Sequence, residues 1–245
     1  MRVAVISDTH ANRYALDAVL DDIDRVGVDE IWFLGDAVGY GADPDYCVVT
    51  LSERCEVFLL GNHDLAALKE IDIGTFSPSA AMSARWTREH MNPEAFDLLR
   101  GLSGTSSRRE GIGLFHASPR NPVWEYVVDS DLAEDNLDFQ EERIALIGHS
   151  HIALYFTRID DLSRISSVLA PGGTELSMTS GKWLLNPGSV GQPRDGDPRA
   201  AWAEVDTLTF RAFFHRVSYP VEDAARAIRD AGLPPHLGDR LLKGR

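Results

Sequence analysis

Short apolar runs recur along the chain, and most of them end in a cluster of polar residues. Val3-Ala4-Val5-Ile6 leads to Asp8-Thr9-His10, Ile31-Trp32-Phe33-Leu34 to Gly35-Asp36, and Val57-Phe58-Leu59-Leu60 to Gly61-Asn62-His63-Asp64. Leu114-Phe115 leads to His116, and Ile144-Ala145-Leu146-Ile147 to Gly148-His149-Ser150-His151. Runs of this length and composition read as strands. Between the first two, Asn12 is an N-cap, Leu16, Val19, Leu20, Ile23 and Val26 keep helical spacing, and Gly27 is a C-terminal stop. Asp43-Pro44 repeats the signal as an N-cap with proline at the first helical position, and Cys47, Val48 and Leu51 mark its buried face. This alternation predicts a mostly parallel sheet covered by helices, because a parallel crossover needs a helix-sized connection. Side by side, such strands gather their terminal polar residues along one sheet edge.

From Leu65 to Leu102 the pattern is helical, with Ser77-Pro78 and Asn92-Pro93 as starts and Gly101 as a stop, which predicts a helical insertion over 65–102. Residues 121–140 hold Trp124, Tyr126 and a short acidic helix, and are expected to cap the polar edge. From Ile152 to Phe214 short alternating strands follow, among them Trp183-Leu184-Leu185, Ala201-Trp202-Ala203 and Leu208-Thr209-Phe210, and these predict a second sheet. A helix over Val221 to Ala231 and a Pro234-Pro235 tail close the chain.

Composition narrows the picture. At 245 residues and 44% hydrophobic, the whole chain 1–245 is expected to form a single domain. No segment approaches the roughly 20 apolar residues of a membrane span. Met1 runs straight into a strand with no signal peptide, so the expected location is the cytoplasm. Cys47 and Cys55 make no framework of disulfides or metal ligands. A formal net charge of -14 argues against an extended nucleic-acid surface, so any phosphate chemistry must be local.

The five polar clusters, in that order and spacing, resemble the motifs of the calcineurin-like metallophosphoesterases: D-x-H, G-D, G-N-H-D, a lone His, and G-H-x-H. Gly39-Tyr40-Gly41, His116-Ala117-Ser118-Pro119-Arg120 and Asn186-Pro187-Gly188-Ser189-Val190-Gly191 are similar to tracts in the branch of small bacterial and archaeal predicted phosphodiesterases. The resemblance implies an α/β fold, a four-layer sandwich of two mixed β-sheets flanked by helices. It implies a phosphoric ester hydrolase acting on a small or medium phosphoester: a phosphodiester, a nucleotide or a dinucleoside polyphosphate. Its nucleophile would be a hydroxide bridging two divalent transition metals, drawn from Mn, Fe, Zn, Co or Ni, with Mn favoured.

The resemblance also assigns roles. Asp8, His10 and His151 would hold one metal, Asn62, His116 and His149 the other, and Asp36 would bridge them. His63 would face the substrate and protonate the leaving oxygen, with Asp64 orienting it; alternatively Asp64 caps the helix that starts at Leu65. Arg13 and Arg120 are candidates for a phosphate clamp, or else solvated surface arginines. Arg194 follows the Asn186 to Gly191 tract and either approaches the site or forms a structural salt bridge. Tyr40, Trp124 and Tyr126 could stack on a nucleobase or pack in a core. His90, His215 and His236 have no motif context. No arginine follows Gly35-Asp36 closely, as one does in the phosphoprotein phosphatases, which demotes that activity. A non-catalytic protein-interaction scaffold on the same fold, as in the retromer subunit, is the competing reading, but no expected ligand is replaced here.

Overall fold

The computed structural model describes residues 1–102, 104–160 and 164–245. Its centre is a pair of six-stranded sheets. In the first, β1 (Arg2–Ile6), β2 (Glu30–Phe33) and β3 (Val57–Phe58) run parallel, and β11 (Ala200–Asp206), β12 (Arg211–Val217) and β9 (Glu175–Ser177) continue it antiparallel. In the second, β5 (Ile112–Phe115), β6 (Ile144–Leu146) and β10 (Lys182–Pro187) run parallel, with β4 (Ser106–Arg109) at one edge and β7 (Ala153–Arg158) and β8 (Ser166–Leu169) at the other.

Strand residues alternate between the two faces, so each sheet builds two cores. Val3, Val5, Trp32 and Leu34 meet Ile112, Leu114, Ile144 and Leu185 between the sheets. Ala4, Ile6, Phe33 and Trp202 face outward onto α1 (Arg13–Val26), α2 (Pro44–Arg54) and α5 (Pro93–Gly101). On the far side, Ala145, Leu154, Phe156 and Leu184 pack against Ala133 and Leu137 of α6 (Ser130–Phe139). Burial on both faces is why the parallel strands read as unbroken apolar runs. The layers are helix, sheet, sheet, helix.

Most start and stop signals act locally as expected. The Asn12 side chain accepts from the Ala15 N–H at 3.2 Å, Gly27 turns left-handed at φ 74, and Ser77 and Asn92 cap α4 (Pro78–His90) and α5. Asp43 makes no side-chain cap bond, so α2 starts on Pro44 alone. Between α3 (Asn62–Ala67) and α4 the helical expectation fails. There Asp72 ties down the Gly74 N–H at 3.1 Å and opens only a short 3-10 turn, Ile73–Thr75.

The C-terminal half departs further. Its strands do not form a sheet of their own: β9, β11 and β12 extend the first sheet, whereas β7, β8 and β10 complete the second. Leu208 to Phe210 is a turn, because Asp206 Oδ1 accepts from the Leu208 and Thr209 N–H groups at 2.8 and 3.1 Å. The Pro234-Pro235 segment opens a helix, α8 (Pro235–Leu241), after α7 (Val221–Asp230); its Leu237 and Leu241 pack in a cluster with Tyr40. β4 is a polar edge strand without the alternation that would have revealed it. Among the described residues no helix is long and apolar enough to cross a membrane.

This architecture points the C-terminal ends of β1, β2, β3, β5 and β6 at one another. Backbone bonds stitch them together: Asp8 N–H to Gly35 O at 2.9 Å, Gly148 N–H to His116 O at 2.7 Å, and Gly191 N–H to Asp8 O at 3.0 Å. The last of these links the loop after β10 to the loop after β1, across the two sheets.

Trp202 is fully buried, its ring stacked on His215 at 3.8 Å and its Nε1–H donating to Asp22 at 2.9 Å. Trp202→Ala should lower the unfolding free energy by about 3–5 kcal/mol in urea denaturation; a loss under about 1 kcal/mol would mean that this layer is not close-packed.

Candidate metal centre

The turns after the strands are strained. Asp8, His10, Asp36, His149 and His151 have φ values of 55, 48, 61, 64 and 59. That left-handed region costs an ordinary L-residue about 1–2 kcal/mol, so neighbouring groups must enforce it. Asp8 Oδ2 accepts the His149 N–H at 3.0 Å, and Asp36 Oδ1 accepts the His63 N–H at 2.8 Å. The Asp64 carboxylate accepts from four amides: Asp36 at 2.8, Gly61 at 2.9, Val38 at 3.1 and Ala37 at 3.2 Å. The loops also lie too close for side chains at two motif glycines. A Cβ on Gly61 would overlap Asp36 Oδ1, and one on Gly148 would overlap Ser7 Oγ.

What these braces leave over defines the site. Asp8 Oδ1 and Asp36 Oδ2 are buried with no hydrogen-bond partner. Around them the imidazoles are fixed by backbone carbonyls: His10 Nδ1 lies 2.9 Å from Val38 O, His116 Nδ1 3.0 Å from Leu34 O, and His151 Nδ1 2.7 Å from Gln192 O. A carbonyl only accepts, so each Nδ1 carries the proton and each Nε2 presents a lone pair. The Nε2 atoms of His10 and His151 are 3.0 Å apart. Asp8 Oδ1 is 3.4 Å from His151 Nε2, and Asp36 Oδ2 is 3.6 Å from both His10 Nε2 and His116 Nε2. Asn62 Oδ1 stands 3.1 Å from His116 Nε2.

Lone pairs converging at these distances with no proton between them repel one another, and a cation relieves the repulsion. Asp8, His10 and His151 form one group able to hold a metal ion, and Asp36, His116 and His149 another; His10, Asp36 and His63 form a third combination. Electrostatics agree with the geometry. Burial holds the imidazoles of His10, His63, His116, His149 and His151 below their ordinary pKa, hence neutral and able to ligate. Burial, with the charges of Asp64 and Asp8, pushes the Asp36 carboxyl well above the usual range. Burial also raises Asp64, to about 6, against the pull of its amide donors. Oxygen and imidazole donors without thiolate suit divalent transition metals.

The structure thus brings all seven expected ligands, Asp8, His10, Asp36, Asn62, His116, His149 and His151, into one cluster. His63 lies beside them on the wall of a cavity of about 250 Å³ lined also by Tyr40, Phe76, Trp124, Tyr126 and Arg194. Three expectations are corrected. Asp64 does not orient His63: its oxygens are taken up by the four amides, and His63 Nδ1 has no partner. Arg13 projects outward from the first turn of α1, 3.9 Å from Asp43, with its guanidinium over Tyr46. Arg120 is turned toward α6 by ion pairs with Asp135 and Glu125. Neither arginine lines the cavity.

Arg194 takes their place. Its N–H donates to His151 O at 3.0 Å, and its guanidinium bonds Gln192 and the Tyr126 hydroxyl. Phe76 lines the same cavity, and nothing in the sequence marks it beyond its position before Ser77-Pro78. Asn186 and Ser189 support the loops from behind: Asn186 Nδ2 donates to Gly148 O at 2.6 Å, and Ser189 Oγ to Asp8 O at 2.8 Å.

Comparison with known proteins places this arrangement. Residues 1–208 match the model of the calcineurin-like phosphoesterase superfamily domain. The chain is 35% identical to the uncharacterized protein MJ0912 of Methanocaldococcus jannaschii, over 99% of this chain and 98% of that protein. It is similar to a metallophosphoesterase from Sphaerobacter thermophilus, with a TM-score of 0.90 and 38% identity over 100% of this chain and 99% of the other. The hypothetical protein PH1004 from Pyrococcus horikoshii shares the fold at a TM-score of 0.78 and 20% identity, over 100% and 98% of the two chains.

Two outcomes follow from the braces and the burial. Asp64→Asn turns an amide NH₂ toward backbone donors, and should cost about 3 kcal/mol of stability in thermal or chemical unfolding; a full-stability variant that is merely slow would restore a catalytic role to Asp64. Because protons and cations compete for the raised Asp36 carboxyl, metal affinity measured by calorimetry should fall as pH drops from about 8 into the acid range, with proton release on binding. A pH-independent affinity would contradict the raised, buried Asp36 carboxyl.

Proposed function

Since the chain belongs to the calcineurin-like phosphoesterase superfamily, and so is a phosphoric ester hydrolase of a metal-dependent family, we propose that it cleaves a small or medium phosphoester, such as a phosphodiester, nucleotide or dinucleoside polyphosphate, at a centre built for two divalent cations. The observation that carries this reading is the pair of bare buried oxygens, Asp8 Oδ1 and Asp36 Oδ2, facing deprotonated imidazole nitrogens. Asp8, His10 and His151 would hold one ion, Asn62, His116 and His149 the second, and Asp36, which reaches toward both groups, would join them. The oxygen and imidazole donors suit Mn, Fe, Zn, Co or Ni, among which the family resemblance favours manganese. Held by these residues, two such ions would supply a nucleophile from water near neutral pH and would draw charge from the phosphoryl oxygens.

The remaining steps belong to the chain. His63 Nδ1 is buried against Gly39, which leaves Nε2 to meet the substrate from the cavity. A phosphate arriving there favours the imidazolium, so Nε2 can hold a proton and deliver it to the leaving oxygen. Tyr40 and Phe76, with ring centroids 4.5 and 5.0 Å from His63, fix the imidazole plane and keep water from its faces. Asp64 acts at one remove, by holding the Asp36 and Gly61 turns that carry the ligands.

Protein reconstituted with manganese or cobalt should bind about two ions per chain and hydrolyse bis-p-nitrophenyl phosphate. Asp36→Asn should lose both metal and turnover, whereas His63→Gln should keep metal and lose about a hundredfold or more in rate. A chain that takes up no metal and turns over no ester would be a scaffold. A fully active His63→Gln on a poor leaving group would remove the proton-donor role.

A further inference from the structure

Four rings stand in a row from the metal centre to the cavity mouth. The Tyr40 and His63 centroids are 4.5 Å apart, His63 and Phe76 5.0 Å, and Phe76 and Trp124 5.7 Å at an interplanar angle of 84°. The outermost indole, Trp124, is 40% exposed, and Tyr126 beside it is 36% exposed. Both are held in place. The Trp124 backbone N–H donates to Asn121 Oδ1 at 3.2 Å while its ring meets Phe76 edge to face, and the Tyr126 hydroxyl donates to Ser150 O at 2.8 Å. Large rings fixed open to water at a cavity rim form the kind of wall that a flat ligand covers.

One charge completes this wall. Arg194 is, among the described residues, the only arginine or lysine lining the cavity. Among the described residues no carboxylate lies within ion-pair reach of it, whereas Arg109, Arg120 and Arg216 are paired with Glu30, Asp135 and Asp195. Its guanidinium is positioned by neutral groups: Gln192 Oε1 at 2.7 and 3.2 Å and the Tyr126 hydroxyl at 3.0 Å, with Cζ 5.7 Å from the Tyr40 centroid. In a chain of net charge -14, an arginine that makes no ion pair among the described residues and is set between two tyrosines at the mouth of an anion site can grip an anion.

We propose that the cavity selects a phosphoester of mononucleotide size, whose nucleobase stacks on Trp124 beside Phe76 while Arg194 binds a non-bridging phosphoryl oxygen. This deepens, and rests on, the phosphoesterase reading above. The acidity of the chain disfavours a long polyanion, and a cavity of about 250 Å³ is on the scale of a single nucleotide. In the reaction the oxygen of water forms a new bond to phosphorus, the bond from phosphorus to the leaving oxygen breaks, and the proton goes to that oxygen. The base remains on the indole throughout.

Two inhibitors that differ only in the base decide the matter. Against bis-p-nitrophenyl phosphate turnover by the manganese-loaded protein, adenosine monophosphate should inhibit about tenfold more tightly than ribose phosphate, as base stacking on one ring predicts. Trp124→Ala should bring the two inhibition constants together, and Trp124→Phe should keep most of the difference. Arg194→Gln should weaken both inhibitors alike. Without any turnover, adenosine monophosphate should quench the tryptophan emission of the wild type but not of Trp124→Phe, and ribose phosphate should quench neither. Equal inhibition in the wild type, or a preference for the base that survives Trp124→Ala, overturns the proposal. Loaded protein that hydrolyses no ester overturns the underlying reading instead, and the quenching measurement then still decides whether a base is bound.

Discussion

Carboxylates in this molecule serve two ends at once, and the active edge depends on that division. Asp8 and Asp36 each commit one oxygen to a backbone amide of another loop and leave the second bare in the interior. The committed oxygens fix the loops, and the bare ones make a buried concentration of negative charge that only protons or cations can satisfy. Asp64 is the extreme case, with both oxygens given over to amides. It resembles a catalytic partner in sequence and acts as a brace in space.

Five left-handed residues at the strand ends store strain that these braces hold in place. The strain turns side chains from separate strands back toward a common point, where a regular exit from the sheet would spread them apart. The second sheet matters for the same reason. It supplies His116, His149 and His151 and, through the loop after β10, the Gln192 carbonyl that sets the tautomer of His151. Neither sheet holds a complete donor set alone, so folding the two layers together and assembling the site are one event.

The convergence of the seven expected ligands was legible in the chain because such a centre needs particular residue types after particular strands, and short apolar runs announce those strands. Asn12, Ser77 and Asn92 showed the helix starts for an equally local reason. What was not legible depends on tertiary pairing. Nothing in the alternation of Ala201-Trp202-Ala203 and Trp183-Leu184-Leu185 says that the first joins β1 and the second joins β6. Arginines next to motifs misled because sequence proximity does not fix direction: Arg13 follows its helix outward, and Arg120 is captured by Asp135 of α6 and by Glu125. Arg194, more than forty residues beyond the last metal-ligand motif, reaches the cavity through a loop that crosses from one sheet to the other.

Phe76 and Trp124 belong to segments outside both sheets, one between two helices and the other between β5 and α6. Neither supplies an expected ligand or a brace to the strand-end turns. On the proposed reading, selectivity and reactivity are therefore housed in separable pieces of chain. Descent could swap the two surface segments, and with them the molecule that is welcomed, while the machinery that breaks the bond stays as it was.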